Sequence, residues 1–372
     1  MAKILFLVTE DYFFVSHRLP IAKAVQKAGF KVTVVTRVSN KRELLESYGI
    51  KVVHIDIDRS GMNPITEALT VWKITQILKK ERPDILHLVS LKPVILGGLA
   101  AKILGIHRKV LAITGLGFLF VKEDRKNGIR KIVTKLLVNI SKTGHVIVQN
   151  REDASLLTKA GVNSKQITLI KGSGVDINVF KFSPEPKGKV VIMLASRLLW
   201  DKGVGEFVEA ARILKSKNIE ARFVLVGGPD LGNPKSISEQ DLKCWVSEGI
   251  IEWWGKKDDM HNILPKSNIF CLPSYYREGL PKALLEAMAC GRPCVTTDAP
   301  GCRDAVRDGV NGFLVKTRDS QGLALALERL ILDPELRRRM GQKGRQIAEA
   351  EFSIDNVVKQ TMDVYKKLFR SN

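Results

Sequence analysis

Cysteine is scarce in this 372-residue sequence and forms no recognisable pair. None of the five cysteines belongs to a Cys-x-x-Cys motif, and no histidine lies at a spacing that would complete a zinc site. All lie in the second half of the chain, at Cys244, Cys271, Cys290, Cys294 and Cys302. The odd number of thiols argues against a disulfide-stapled scaffold, and their spacing argues against structural zinc. We expect a reduced, cytosolic protein whose thiols are buried.

Long hydrophobic runs are absent as well. The longest candidate, residues 93–120, is interrupted by three basic residues and a histidine, so it lacks the roughly 18 apolar residues that a membrane span needs. The apolar start Met1–Val8 ends at Glu10 and Asp11, and no small-residue cleavage site follows. We interpret it as a first strand rather than a signal peptide. Nothing is expected to span a membrane, although a surface of the protein could lie on one.

Acidic residues are the scarcer charged type. The chain has 60 Lys and Arg against 39 Asp and Glu, a net charge of +21. Residues 1–180 contain 29 basic and 14 acidic residues, whereas residues 181–372 contain 31 and 25. The excess in the first half predicts an anionic partner there, which could be nucleic acid, a phosphorylated substrate or an anionic lipid surface.

Two kinds of motif that would assign a function are missing. The first predicted βα turn, Val8-Thr-Glu-Asp-Tyr-Phe-Phe, lacks the Gly-x-Gly-x-x-Gly that lets a dinucleotide pyrophosphate approach the backbone, which argues against a nicotinamide or flavin oxidoreductase. No helix-turn-helix, RNP-like or zinc-finger pattern is present. A non-catalytic nucleic-acid- or membrane-binding protein is therefore suggested by charge alone, and no nucleic-acid partner is expected.

Two successive series of short β-branched runs alternate with segments of helical period. Such alternation is typical of βαβ units and a parallel sheet covered by helices on both faces. The first series is predicted at Lys3–Val8, Lys31–Thr36, Lys51–Ile55, Ile85–Val89, Lys109–Ile113, His145–Gln149 and Gln166–Ile170. The second is predicted at Val190–Ala195, Phe223–Val226, Ile250–Trp253, Ile269–Leu272, Pro293–Thr297 and Gly312–Val315.

We therefore predict an α/β protein with two doubly wound Rossmann-like domains, residues 1–180 and 181–353. The Pro- and Gly-containing stretch 182–188 is the predicted linker. Because ligands bind at the carboxyl ends of parallel strands, the active site is expected in a cleft between the two domains. The last segment, 354–372, is predicted to be mainly a helix that packs back on the first domain through its apolar side chains.

The segment Pro273–Pro293 carries the most chemical information. It follows a predicted apolar strand; Gly279 permits a tight turn and Pro281 suits the first position of a helix. The free amides at such a helix start bind a phosphate well. Glu278 precedes this helix and Glu286 lies about a turn and a half inside it, so the two carboxylates are expected to contact different parts of one extended ligand.

In this setting the Glu-x7-Glu motif resembles that of the retaining family 4 glycosyltransferases, which have the GT-B fold. Further matches follow in the expected order along the chain. They are Ala195–Gly203, Leu225–Pro229, Glu252–Gly255, Thr296–Gly301 and Asp308–Val315. The resemblance is strong over about 190–316 and is weaker, though collinear, before it.

The resemblance implies a role for each matching residue. Arg197 and Lys202 correspond to the cations that hold the diphosphate of the donor, Glu286 to the acceptor of ribose hydroxyl bonds, and Glu278 to the residue that binds donor-sugar hydroxyls. Amides near Gly279 and Leu280 would meet the phosphate. The remaining donor-site candidates are Gly228, Trp254, Gly255 and Pro281.

The implied reaction is transfer of a hexose or N-acetylhexosamine with retention, the acceptor hydroxyl approaching from the side of the departing diphosphate. No metal ion and no cofactor are implied, since a UDP-sugar is the donor substrate and the cations can supply the positive charge. A GDP-mannose-dependent mannosyltransferase would share every motif. Asp56-Ile-Asp58 has the Asp-x-Asp form of metal-dependent glycosyltransferases, but strand alternation accounts for both carboxylates.

The segment Asp11–Pro20 resembles the bacterial subgroup that extends undecaprenyl-diphosphate-linked saccharides, including N-acetylgalactosaminyltransferases, in polysaccharide or glycoprotein glycan assembly. His17 either faces the reaction centre or is a satisfied turn residue, and Lys92 either reaches an acceptor diphosphate or is simply solvated. The acceptor-binding candidates are Tyr12, Phe13, His17, Arg18, Lys92, Thr114 and Gly115. The catalytic candidates are Glu278, Arg197, Lys202 and His17.

A predicted helix over about 127–142 places an apolar stripe beside basic residues. The stripe comprises Ile129, Ile132, Val133, Leu136, Leu137 and Ile140; the basic residues are Arg125, Lys126, Arg130, Lys131 and Lys135. This pattern fits an interfacial helix on anionic lipid, and it equally fits a core-facing helix with a basic outer face. With the charge of the first half, it predicts a cytoplasmic protein peripheral to the inner face of the plasma membrane.

Overall fold

The computed structural model describes residues 1–58, 63–116, 127–230, 232–276 and 279–370. The chain divides into two compact units. The first comprises Met1–Ser173 together with Asp355–Asn372, and the second comprises Gly174–Ile354. Each unit contains one parallel sheet with its own hydrophobic core.

The first unit is built on a sheet in the order β3-β2-β1-β4-β5-β6-β7. Its strands are β1 Lys3–Glu10, β2 Lys31–Arg37, β3 Lys51–His54, β4 Ile85–Val89, β5 Lys109–Ile113, β6 His145–Val148 and β7 Ile167–Leu169. Its first helices are α1 Asp11–His17, α2 Leu19–Lys27, α3 Arg42–Ser47, α4 Pro64–Glu81, α5 Leu91–Ile103, α6 Asn127–Ser141 and α7 Arg151–Lys159. The central strands are buried on both faces, as expected for a parallel sheet covered by helices.

The second unit has a sheet in the order β10-β9-β8-β11-β12-β13. Its strands are β8 Val191–Ala195, β9 Arg222–Val226, β10 Glu252–Trp253, β11 Ile269–Leu272, β12 Cys294–Thr297 and β13 Gly312–Val315. Its helices are α8 Val204–Ser216, α9 Glu239–Ser247, α10 Met260–Ile263, α11 Lys282–Ala289, α12 Cys302–Ala305, α13 Ser320–Leu332 and α14 Pro334–Glu351.

Both sheets reverse their strand order once, between β1 and β4 in the first unit and between β8 and β11 in the second. In open parallel sheets, ligands bind outside the carboxyl ends of the strands at such a switch point. The loops after these four strands are therefore the positions where functional side chains are expected to gather.

The final helix, α15 Ile354–Arg370, packs on the first unit. Its Tyr365 is buried, and the hydroxyl lies 2.5 Å from Nδ1 of His87 on β4. Nearer the end of the helix, the ring of Phe369 lies 5.6 Å from that of Phe30. The apolar side of α15 is therefore covered by the sheet and loops of the first unit.

Most predicted strands agree with the observed ones to within one or two residues at each end. Two local expectations were wrong. The segment after β1, expected to form a turn, forms helix α1 and the start of α2. Pro281 is the N-cap of α11 in an extended conformation (φ −64°, ψ 114°), so the helix begins one residue later than predicted.

The expectation of buried thiols is correct for four cysteines and wrong for Cys244, which is exposed. Cys244 lies on the solvent side of α9, where its Sγ is 3.2 Å from a carboxylate oxygen of Glu248, while Leu242 and Trp245 of the same helix face the core. Burial raises the pKa of Cys290 to about 11. Burial also raises the pKa of Cys271 and of Cys294, so these three thiols are protonated at neutral pH.

Helix α6 turns much of its apolar stripe towards the core. Leu137 and Ile140 are buried, and Val133 and Leu136 pack against the same cluster. Ile132, by contrast, is 60% exposed. The core-facing interpretation therefore holds for most of the described stripe, and one apolar side chain is left at the surface.

Three members of the predicted pattern on this helix lie outside the described residues. They are Arg125, Lys126 and the side chain of Ile129. Within the described ranges, no helix combines the length and the apolar composition needed to cross a bilayer.

Candidate functional site

The loop after β8 carries the two predicted phosphate-binding cations. Its backbone is joined to the end of β9, because the amides of Ser196 and Leu198 donate to the carbonyls of Val226 and Gly228. The Arg197 guanidinium donates to Asp230 at 2.6 Å and is half exposed. Lys202 ends a short 3-10 turn, Trp200–Lys202, directly before α8. Both cations therefore stand at the switch point of the second sheet.

The carbonyl oxygen of Asp201 joins this loop to the one after β11. It accepts hydrogen bonds from the backbone amides of Tyr275 (3.1 Å) and Tyr276 (3.2 Å), and from the hydroxyl of Ser274 (3.2 Å). The loop that carries Lys202 and the loop that leads to Glu278 are thus fixed against each other.

Gly203 allows these two loops to approach closely. Its φ of +78° lies in the left-handed region, and a Cβ built on it would be 2.2 Å from the carbonyl oxygen of Pro273. Neither the backbone conformation nor the contact tolerates a side chain. The requirement is local to the carboxyl edge of the second sheet.

Gly203→Ala is expected to lower the free energy of unfolding by about 3 kcal/mol, combining left-handed strain with overpacking against backbone. Urea denaturation measures this change. The matched control is Gly29→Ala, since Gly29 has φ +88° and an added Cβ there would have no atom within 4 Å, so only the strain of about 1–2 kcal/mol remains. Equal losses in the two variants would contradict the close contact at Gly203.

Helix α11 places Glu286 one turn inside its start. The carboxylate is 12% exposed and accepts a hydrogen bond from Nζ of Lys282 at 2.6 Å. Nζ of Lys282 also lies 5.8 Å from the ring centroid of Phe180. Gly279, Leu280 and Pro281, which precede the helix, are buried. Glu278 lies outside the described residues.

The ends of β9 and β10 complete the same edge. Gly227 has φ +140°, and a Cβ there would be 1.9 Å from the carbonyl oxygen of Ser196. The indole of Trp253 donates to the Gly227 carbonyl at 2.8 Å, and the Gly227 amide donates to the carbonyl of Gly255. Trp254, half-buried, donates its indole N–H to Glu252 at 3.1 Å. Gly228, Trp254 and Gly255 therefore lie at the strand ends beside Arg197.

The first acceptor candidates lie on α1, directly after β1. Tyr12 is exposed, and the ring of His17 stacks on that of Phe13 with centroids 4.2 Å apart. Nδ1 of His17 lies 2.5 Å from the hydroxyl of Ser16. His17 thus ends a helix and is held by its own helix, at the carboxyl edge of the sheet.

The other acceptor candidates follow β4 and β5. Nζ of Lys92, in the first turn of α5, lies 2.6 Å from Glu67, and the Thr114 hydroxyl donates to the Ser90 hydroxyl at 3.4 Å. Gly115, which follows Thr114, is half-buried. These residues therefore share the carboxyl edge of the first sheet with α1.

Arg18 differs from the other acceptor candidates because it is 4% exposed. Burial lowers the pKa of Arg18 to about 10. The pKa of the buried His87 is also lowered, mainly by burial and further by the charge of Arg18. Its side chain is therefore placed with the core groups His87 and Tyr365.

Asp56, of the Asp-x-Asp sequence, pairs with Arg37 (3.5 Å) and His54 (3.3 Å).

Three residues that hold parts of the candidate site were not predicted from the sequence. Asp230 is the carboxylate that orients Arg197, and Asp201 acts through its carbonyl, which sequence patterns do not report. Asp11 is buried and accepts from the amides of Tyr12, Ser39 and Lys41 at 2.7–2.9 Å. Burial favours a higher pKa for Asp11, but these bonds and that of the Ser39 hydroxyl lower it. An acidic residue at a helix start was the available signal.

Two family models match the chain. The model described as "Glycosyl transferase 4-like" matches residues 3–150, and "Glycosyl transferases group 1" matches residues 176–347, so that together they extend over both units. The chain belongs to this glycosyltransferase family. The implied class of enzyme, a glycosyltransferase, is thereby confirmed.

Named relatives align with most of this glycosyltransferase. It is 29% identical over 371 residues to the N,N'-diacetylbacillosaminyl-diphospho-undecaprenol alpha-1,3-N-acetylgalactosaminyltransferase of Campylobacter jejuni, with 95% of this chain and 96% of the relative aligned. It is 28% identical to the UDP-Gal:alpha-D-GlcNAc-diphosphoundecaprenol alpha-1,3-galactosyltransferase of Escherichia coli, with 81% and 80% aligned.

Solved structures confirm the fold class of this glycosyltransferase. Sucrose-phosphate synthase of Thermosynechococcus elongatus superposes with a TM-score of 0.82 at 20% identity, over all of both chains. Anabaena Alr3699/HepE in complex with UDP-glucose superposes with a TM-score of 0.78 at 21% identity, over 99% of this chain and all of the other. The predicted α/β class with two Rossmann-like domains, the GT-B fold, is correct.

Proposed function

We propose that this glycosyltransferase moves a hexose or N-acetylhexosamine from a UDP-sugar to a polyprenyl-diphosphate-linked saccharide, with retention at the sugar carbon. The observation that carries the proposal is the joining of two loops at the second switch point. One loop bears Arg197 and Lys202, and the other leads to α11 and Glu286, with the Asp201 carbonyl between them.

The proposed roles of Arg197 and Lys202 follow from where charge develops. As the bond from the sugar to the diphosphate breaks, negative charge grows on the leaving oxygen, and fixed cations stabilise it more in the transition state than in the ground state. Asp230 holds Arg197 in place through a 2.6 Å bond. The buried amides at Gly279 and Leu280, before α11, are proposed to bind the same diphosphate.

Glu286 is proposed to accept hydrogen bonds from the ribose hydroxyls, and Glu278 to bind hydroxyls of the donor sugar. Glu286 suits this role because its carboxylate is mostly buried and already oriented by Lys282. Gly228, Trp254, Gly255 and Pro281 are proposed to line the remainder of the donor site.

The proposed step needs no carboxylate nucleophile. The acceptor hydroxyl approaches the anomeric carbon on the face from which the diphosphate departs; the new carbon–oxygen bond forms as the carbon–oxygen bond to phosphate breaks. The hydroxyl proton passes to an oxygen of the leaving diphosphate. The products are UDP and the extended saccharide, with the original configuration retained.

The acceptor is proposed to bind at the carboxyl edge of the first sheet. Support comes from the gathering there of Tyr12, Phe13 and His17 on α1 with Lys92, Thr114 and Gly115 after β4 and β5. Further support comes from the names of the Campylobacter and Escherichia relatives, which specify undecaprenol-diphosphate-linked acceptors. Arg18 is proposed to support α1 from within the core.

A lipid-linked acceptor requires the enzyme to work at a membrane surface, and we propose the cytoplasmic face. The net charge of +15 in residues 1–180 supports attraction to anionic lipid. On α6, Lys131 and Lys135 are exposed beside Ile132. This small face is proposed to touch the lipid while Leu137 and Ile140 stay in the core.

Release of UDP from a panel of UDP-sugars tests the proposal. The full chain is assayed with and without a membrane extract that contains lipid-linked saccharides, and UDP release is expected only when the extract is present. GDP-mannose is the parallel donor. Release from GDP-mannose alone would replace the UDP assignment, and no release from either donor would reject the proposed function.

A further inference from the structure

Tyr275 lies in the loop between β11 and α11, and groups from two other loops surround its ring. The guanidinium of Arg318 lies 4.6 Å from the ring centroid, in the geometry of a cation–π contact. Arg318 belongs to the loop between β13 and α13, two strands away in the sheet. Burial raises the pKa of Tyr275; the nearby charges of Glu206 and Asp201 raise it further, and Arg318 opposes them.

The backbone beside Tyr275 is held as firmly as its ring. Its amide and that of Tyr276 donate to the carbonyl of Asp201, and the Thr297 hydroxyl donates to the carbonyl of Ser274. Ser274 and Tyr275 thus connect the loop after β11 to the loops after β8 and β13 and to the end of β12. The donor-binding candidate Lys202 directly follows Asp201, and Gly279 lies four residues after Tyr275.

The loop between β11 and α11 lies between two pairs of helices that pack separately on the sheet. Helix α8 packs against α13, whereas α11 packs against α14. Arg318, which precedes α13, lies over the ring of Tyr275, and the charge of Glu206, in the first turn of α8, acts on the Tyr275 hydroxyl. The loop then passes to α11. The position of the loop between β11 and α11 therefore depends on how Tyr275 is held by the segments that precede α8 and α13.

Arg318 adopts a backbone conformation that arginine seldom takes. Its φ is +58°, in the left-handed region where glycine would be free of steric strain. Such strain persists where the side chain makes contacts that compensate for it. The compensating contact of Arg318 is the one with the ring of Tyr275.

We propose that Arg318 is a positioning residue for the donor site. By holding Tyr275 it sets the loop that leads to Gly279 and Leu280, and thereby the amides that meet the donor diphosphate, without touching the donor itself. This inference rests on the proposed UDP-sugar function. According to this inference, part of the affinity for the nucleotide depends on Arg318, although Arg318 does not contact the nucleotide.

Binding of UDP, measured by calorimetry on the full chain, tests the role of Arg318 without requiring an acceptor. Arg318→Gly is expected to weaken UDP binding about three- to fivefold, as loss of a cation–π contact would. Its stability in urea should be unchanged or higher, because glycine removes the strain. Arg318→Lys should recover part of the affinity. Arg82→Gly is the matched control, since Arg82 is an arginine at φ +44° in the first unit.

A second variant distinguishes a role of Arg318 through the Tyr275 ring from an indirect loss of UDP affinity. Tyr275→Leu should also weaken UDP binding, and adding Arg318→Gly to it should weaken binding little further, because both act through the same ring. Wild-type affinity in Arg318→Gly, or fully additive losses in the double variant, would overturn the inference and leave the proposed function intact. A wild-type chain that binds neither UDP nor GDP would overturn both.

Discussion

Glu286→Gln is expected to lower kcat/KM for the UDP-sugar by about tenfold to a hundredfold. The substitution keeps the size of the side chain but replaces one carboxylate oxygen with an NH2 group, which cannot accept a hydrogen bond from a ribose hydroxyl, and it removes the negative charge. Hydrogen bonds to charged groups contribute about 1.5–3 kcal/mol, which corresponds to that range. The ribose does not react, so the loss should appear mainly as a higher KM.

The matched control for this variant is Glu46→Gln. Glu46 also accepts from a basic residue four positions earlier in a helix, with 3.1 Å between Arg42 and its carboxylate, but it lies in the first unit. Steady-state UDP release at varied donor concentration separates KM from kcat. A wild-type KM in Glu286→Gln would remove Glu286 from the ribose site.

Arg197→Ala and Lys202→Ala should have a larger effect, lowering kcat by about a hundredfold to a thousandfold each. Both cations are proposed to stabilise charge that appears on the diphosphate only as the glycosidic bond breaks, and loss of one such group has effects of this size. KM should change less than kcat, because binding in the ground state uses the same contacts more weakly.

Arg212→Ala is the control for loss of a surface cation. Arg212 donates to Glu248 at 2.7 Å and is about as exposed as Arg197, which donates to Asp230 at 2.6 Å. Arg197→Lys should restore only part of the rate, since a lysine presents a point charge rather than a planar pair of donors. An unchanged kcat in both alanine variants would exclude the proposed diphosphate contacts.

The strand assignments show which features were predictable. Parallel strands that are buried on both faces appear in the sequence as short apolar runs. The bounds of four of them, including Ile85–Val89 and Ile269–Leu272, were therefore predicted without error. Helix α1 was missed because its seven residues carry no helical period long enough to recognise. The start of α11 was misplaced by one residue because proline suits both the N-cap and the first turn.

The candidate site divides in the same way. Arg197, Lys202 and Glu286 were predicted from the resemblance of their motifs to those of the family, and these motifs follow strand ends, which share one edge in a parallel sheet. Asp230, Arg318 and the Asp201 carbonyl were not found, because their partners are distant in sequence and one of them acts through the backbone. Glu278 lies outside the described residues, and its role stays a prediction.

The sequence by itself determined the two series of strands, the family and the residue types at the donor edge, since these depend on local periodicity and on offsets within one loop. Only the tertiary structure decided what holds that edge together. Gly203 meets Pro273, the Asp201 carbonyl accepts from the Ser274 hydroxyl and the Tyr275 and Tyr276 amides, and Arg318 covers Tyr275. These contacts join loops separated by tens of residues, so they exist only once the strands have taken their order in the sheet.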